Sequence, residues 1–158
     1  MKNLLFLLLF SFSLCSFGQE TFYNNQPKAA PATDKTKCIT IGILQGGGSL
    51  VGADFEALVS KKVGVQVGMG LIGFGAGLNY HFKPNIRSSF LSLQYMHQGY
   101  ASSYTQSVAG ATYVFRGKKW FTFQIGLGFP LETGPALPEV YEVPPIMLMY
   151  YIGGYIPF

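Results

Sequence analysis

Two histidines, seven carboxylates and one glycine-rich hexad are the features of this chain whose residue types and spacing could do chemistry. Gly68-Met-Gly-Leu-Ile-Gly73 has the G-x-G-x-x-G spacing that lets a backbone approach a pyrophosphate at a helix N-terminus. That chemistry needs a helix straight after the glycines and an acidic residue about 20 positions on. Here a strand-like segment follows, and no Asp or Glu occurs between Glu56 and Glu132. The glycines therefore read as small strand and turn positions.

Asp54 and Glu56 share the polar face of one alternating segment, and His81 and Arg116 fall on the same face of two others. Carboxylates in a crowded interior require cations and hydrogen bonds. These four, with Gln66, Asn79 and Gln124, are expected to form an interior polar network. Two roles stay open for it: a structural one, or a proton- or ion-responsive lumen in which His81 changes charge near neutral pH. His97 stands at the far end of its segment, with Ser102 and Ser103 beyond it and Glu132 in a neighbouring loop. Nucleophilic catalysis needs a base within reach of the nucleophile and a group that orients the base. No His-x-Ser pair shares a strand face, so His97 reads as an interfacial polar residue. The longest loop, Glu132 to Pro145, is stiffened by four prolines, and Glu132, Glu139, Tyr141 and Glu142 are its candidate recognition surface. His81, His97 and Cys38 lack zinc-ligand spacing, and the three loop carboxylates carry no calcium motif. No metal and no cofactor is expected.

The elements that must position these residues are strands. In Val63-Gly-Val-Gln-Val-Gly-Met-Gly-Leu71 the apolar residues hold every odd position, and Phe121 to Leu131 repeats the pattern. A helix would scatter them around its circumference and lose about 1 kcal/mol at each interior glycine. A strand gathers them on one face. The same reading gives eight strands near 39–46, 50–59, 63–71, 74–82, 88–97, 104–116, 119–131 and 146–158. Trp120 is placed on the polar face of the seventh, with Thr122, Gln124, Gly126 and Gly128. Ser60–Lys62, Lys83–Arg87 and Arg116–Lys119 are short basic turns after strands two, four and six. In an up-and-down meander they lie at one end, together with both termini of the sheet.

Composition agrees with an apolar sheet protein. Of 158 residues 49% are hydrophobic and 11% charged, with 14 Phe and 10 Tyr. That is too apolar for a disordered chain. A net charge of +4 built from so few charges excludes a nucleic-acid-binding face. Residues 1–18 read as a cleaved secretory signal peptide: one Lys, an apolar run from Leu4 to Leu14, and small residues before Gln19. Residues 19–37 read as a short flexible tail, and 38–158 as the folded domain. Cys38 is the single cysteine of the mature chain, which excludes an internal disulfide.

Which face is inside decides the class of function. A soluble antiparallel barrel buries its apolar face, and a membrane barrel turns it to lipid. Three features favour the second arrangement. The polar face is small and neutral, made of Gly, Gln, Asn, Ser and Thr. The apolar face is rich in aromatics that fall at strand ends. No Lys or Arg lies mid-strand, where lipid exposure costs about 2–4 kcal/mol. Full backbone pairing then demands closure, and eight strands make a barrel narrow enough for side chains to fill.

With these features the chain resembles the small eight-stranded outer-membrane β-barrels of Gram-negative bacteria. The resemblance extends to the last strand, where Tyr150, Ile152, Ile156 and the final Phe158 match the signal read by the barrel-insertion machinery. Gly154 interrupts the alternation, and Pro157 is unusual before the final residue. The fold expected is an all-β, eight-stranded antiparallel up-and-down transmembrane barrel with a polar filled interior. The resemblance implies an outer-membrane location, termini in the periplasm, outer-membrane lipid and the insertion machinery as partners, and a monomer. The role expected is structural, adhesive or envelope-supporting, without an open pore and without enzymatic activity. The alternatives are a lipid-A-modifying acyl enzyme, a chemistry some barrels of this kind perform with His, Ser and an acidic group, and a soluble periplasmic barrel holding an apolar ligand.

Overall fold

The computed structural model describes residues 35–100, 103–138 and 142–158. Residues 1–18, expected to be a signal peptide, and residues 19–34 of the expected tail lie outside the described residues. Eight strands follow in order: β1 (Lys37–Ile43), β2 (Gly52–Leu58), β3 (Val63–Gly70), β4 (Gly73–His81), β5 (Phe90–Gln98), β6 (Gln106–Arg116), β7 (Phe121–Thr133) and β8 (Met147–Pro157). Each pairs antiparallel with its neighbours in sequence, and β1 pairs with β8, so the sheet is a closed meander barrel. No α-helix occurs among the described residues.

The alternation in the sequence becomes the two walls of the barrel. Glu56, Gln66, Asn79, Ser92, Thr112 and Gln124 are buried in the centre. Val65, Leu78, Leu93, Ile125 and Leu148 project outward and stay exposed. The centre is less uniformly polar than the alternation suggests. Phe90, Val114 and Tyr151 form one small apolar cluster inside it, and Cys38, Ile86 and Tyr155 form another.

Both ends are closed by connections that turn inward. β1 stops at Ile43 because Leu44, Gly46, Gly47 and Gly48 all take positive φ, a region open mainly to glycine. That bend carries Gln45 and Ser49 into the centre, where both are buried. Ser49 Oγ accepts from the Ile72 amide at 3.1 Å, and Gln45 Nε2 donates to Asp54 at 2.7 Å. At the opposite end the connection between β4 and β5 buries Ile86 completely against Cys38 and Tyr155. These segments read as plain turns in the sequence and act as stoppers in the fold.

Two irregularities of the last strand have local causes. Lys37 and Phe158 exchange both backbone hydrogen bonds, at 3.3 and 2.9 Å, so Pro157 sits opposite Cys38 at a position that owes β1 no donor. On its other side the pairing with β7 has already ended at Phe121 and Gly154. Gly154 faces outward beneath Trp120, whose ring lies 3.2 Å from where a Cβ would stand. Trp120 is therefore on the outer surface and not on the polar face where the alternation places it. It precedes β7, so the pleat does not set its direction.

The glycine stopper is testable. A Cβ at Gly47 would overlap the backbone of Phe74, whereas at Gly48 it would meet the side chain of Gln98. Both sites are left-handed, at a cost of about 1–2 kcal/mol for a side chain. Gly47→Ala should destabilise clearly more than Gly48→Ala in urea unfolding, because backbone yields less than a flexible amide. Equal effects would mean that the stopper is not packed as described.

Candidate functional site

The interior site is built around Glu56 of β2, which is 1% exposed. Its Oε2 accepts from Arg116 Nη2 of β6 at 2.6 Å, and its Oε1 lies 2.9 Å from His81 Nε2 of β4. Asn79 Nδ2 donates to the same Oε1 at 2.5 Å and to Gln66 Oε1 at 3.0 Å, and Ser92 donates to Asn79 Oδ1. Arg116 also donates to the Ile86 carbonyl. Its guanidinium lies between the rings of Phe90 and Tyr155, at 4.8 and 4.9 Å from their centroids. Such stacking suits a planar, weakly hydrated cation.

The seven residues expected to form one interior network divide into three groups. Glu56, Gln66, Asn79, His81 and Arg116 are joined as described. Asp54 bonds instead to Gln45, a residue the sequence reading passed over. Gln124 pairs reciprocally with Gln94 across the barrel, at 2.7 and 3.0 Å. The separation follows from registry, since Asp54 is one pleat nearer the loop end than Glu56. Between these groups lies a cavity of about 20 Å³ lined by Gln45, Asp54, Gln66, Gln94, Gln124 and Tyr151. It has room for about one water molecule.

A second cluster occupies the outer surface at the loop end. His97 Nδ1 lies 2.7 Å from Ser107 Oγ, its cross-strand partner, and Tyr95 Oη donates to the same Oγ at 3.2 Å. The His97 ring lies 4.9 Å from the rings of both Phe74 and Tyr104. Tyr104 donates to Glu132 at 2.6 Å, and that carboxylate holds the phenol above its usual range. The serine beside His97 is thus Ser107. Ser103 makes its contact within its own loop, with the Tyr100 carbonyl, and Ser102 lies outside the described residues. The signal that finds Ser107 is the hairpin register, which sets Gln98 opposite Gln106 and hence residue 97 opposite 107.

Of the loop candidates, Glu132 and Glu142 are exposed, and Glu139 and Tyr141 lie outside the described residues. Tyr150, Ile152, Ile156 and Phe158 all face outward. No three His, Cys, Asp or Glu side chains among the described residues are placed to hold a metal ion. Comparison of the chain with models of known families, with curated proteins and with solved structures returns no match.

The Glu56 cluster yields a stability test. Arg116→Met leaves a buried carboxylate without its cation and should cost about 3–5 kcal/mol. Adding Glu56→Gln removes the stranded charge and should recover a large part of that loss. Unfolding midpoints of the two variants decide it; an unchanged midpoint for Arg116→Met would show that Glu56 does not depend on the pair.

Proposed function

We propose that this chain is an integral outer-membrane β-barrel with a filled interior, serving a structural, adhesive or envelope-supporting role without an open pore. The observation that carries the reading is the inverted polarity of the closed sheet. A charged network is sealed in the centre, while Ile41, Val67, Leu78, Leu93, Leu127 and Leu148 are left exposed around the outside. A barrel in water would have to expose this apolar belt on every side. In hydrocarbon the same belt is at equilibrium, and the closed backbone ladder leaves no edge.

The ends of the barrel support the same reading. Lys61, Lys62, Lys83, Arg87, Lys118 and Lys119 sit in connections at the end that holds Lys35 and Pro157. Glu132 and Glu142 sit at the other. With the mature termini in the periplasm, the basic end meets anionic head groups of the inner leaflet, and the acidic loop faces outward. Tyr80, Phe82, Tyr113 and Phe121 lie near the basic ends of their strands, at the height where amphipathic rings anchor a membrane barrel. The outward row of β8 ending in Phe158 fits recognition by the insertion machinery. The occupied centre fits a monomer that needs no partner to complete it.

One observation favours the enzymatic alternative, the 2.7 Å contact of His97 with Ser107. Ser107 is only 2% exposed, however, and the His97 ring is held by aromatic faces and not by a carboxylate. A nucleophile must reach its substrate, and its base needs an orienting partner. The acyl-enzyme reading therefore ranks second, and unaltered lipid acylation in a Ser107→Ala strain would remove it.

Leu127→Arg separates a membrane barrel from a soluble one. Leu127 is exposed midway along β7. In water an arginine there is nearly neutral, whereas at a bilayer midplane it costs about 2–4 kcal/mol. We expect the wild type to need detergent for extraction and to shift its gel mobility on heating, and Leu127→Arg to lose that amount of stability in vesicles. Extraction without detergent, with no loss for Leu127→Arg, would overturn the proposal.

A further inference from the structure

The basic end of the barrel holds a hollow of about 340 Å³, lined by Phe82, Lys83, Asn85 and Arg87 of the β4–β5 connection and by Arg116 at the end of β6. No Asp or Glu among the described residues lines it. Arg116 is matched by Glu56 inside the barrel, so the uncompensated charge of the hollow is that of Lys83 and Arg87.

The connection is held in shape by its own bonds. The Asn85 amide donates to the Lys83 carbonyl at 2.7 Å and the Ser88 amide to the Asn85 carbonyl at 2.9 Å. The Lys83 amide donates to Ser88 Oγ, and the Arg87 amide to Asn85 Oδ1. Ile86 anchors the turn in the interior. Arg87 Nη1 donates to the Lys119 carbonyl at 3.2 Å, which ties the guanidinium to the neighbouring β6–β7 turn. Lys83 Nζ, Arg87 Nη2 and Asn85 Nδ2 bond to no other described residue. A planar fork beside a point charge suits phosphate oxygens, and a turn already ordered loses little freedom when it binds them.

The position of the hollow narrows the source of the phosphate. Phe82 is exposed, and its ring lies 6.1 Å from that of Tyr113, which faces outward on β6. The hollow therefore borders the apolar belt where the belt ends. A phospholipid lays its chains on such a belt and sets its phosphate at that height. Two cations without a carboxylate also favour a head group of net negative charge over one that carries its own ammonium. A second hollow, across Asn85, is lined by Lys35 and Lys61. There Lys35 already donates to the Pro157 carbonyl at 3.0 Å, and no aromatic ring is among the described lining.

We propose that Lys83 and Arg87, with Asn85, bind the phosphate of an anionic phospholipid of the inner leaflet, whose acyl chains lie against Phe82 and Tyr113. The site deepens the membrane reading and rests on it, giving one fixed position to an attraction otherwise spread over the basic end.

The test titrates the full chain, folded in neutral detergent micelles, with phosphatidylglycerol or phosphatidylcholine and reads the first bound lipid by native mass spectrometry. Heat-shifted gel mobility checks that each variant is closed. Phosphatidylglycerol should bind about tenfold more tightly, the order of effect of two cations at a membrane surface. Lys83→Gln with Arg87→Gln should abolish that preference. Lys61→Gln with Lys62→Gln, which removes the same charge from the same end, should keep it. Inorganic phosphate at millimolar concentration should not displace the lipid. No preference in the wild type, or equal losses in the two double variants, would overturn the site while leaving the membrane reading standing. Displacement by inorganic phosphate would overturn its assignment to lipid. A chain that stays folded without detergent and binds neither lipid would overturn both. If the Lys83 and Arg87 double variant fails to close, Arg87→Gln alone takes its place and should lower the preference about threefold; an unchanged preference would overturn the site.

Discussion

A carboxylate taken out of water must be met by charge and hydrogen bonds within reach, and Glu56 imposes that demand on most of the barrel. Its direct partners come from β4 and β6, and through Asn79 the chain of bonds extends to β3 and β5. Backbone ladders fix each strand against its neighbours but say little across the lumen. The side chains around Glu56 supply that missing constraint. An apolar filling of the same volume would hold the strands together equally well. What the charged centre adds is a demand on registry: a one-residue slip of β6 would turn Arg116 outward and leave Glu56 with its β4 partners but without the guanidinium.

The same narrowness explains the glycines and the stoppers. Gly68 stands opposite Asp54 in the β2–β3 pair, and the carboxylate occupies the space a side chain there would need. With the middle filled by the Glu56 cluster and the paired glutamines, only the two mouths remain. Gln45 and Ser49 enter one, and Ile86 enters the other. The stoppers are polar at the loop end and apolar at the basic end, matching Asp54 in one case and Cys38 with Tyr155 in the other.

Most of this architecture was legible because period-two patterning reports the pleat directly. The eight segments agree with the observed strands to within three residues at every end. The polar face also delivered Glu56, His81 and Arg116 as residues of one surface. Three things were hidden. In Met147 to Tyr155 both parities are apolar, so nothing in the residue types says that Met149, Tyr151 and Tyr155 point inward. Gln45 lies in a connection whose direction comes from positive φ values, and a run of glycines does not disclose which way it bends. Ser107 is ten positions from His97, and only the hairpin register brings them together, while Ser102 and Ser103 looked nearer along the chain.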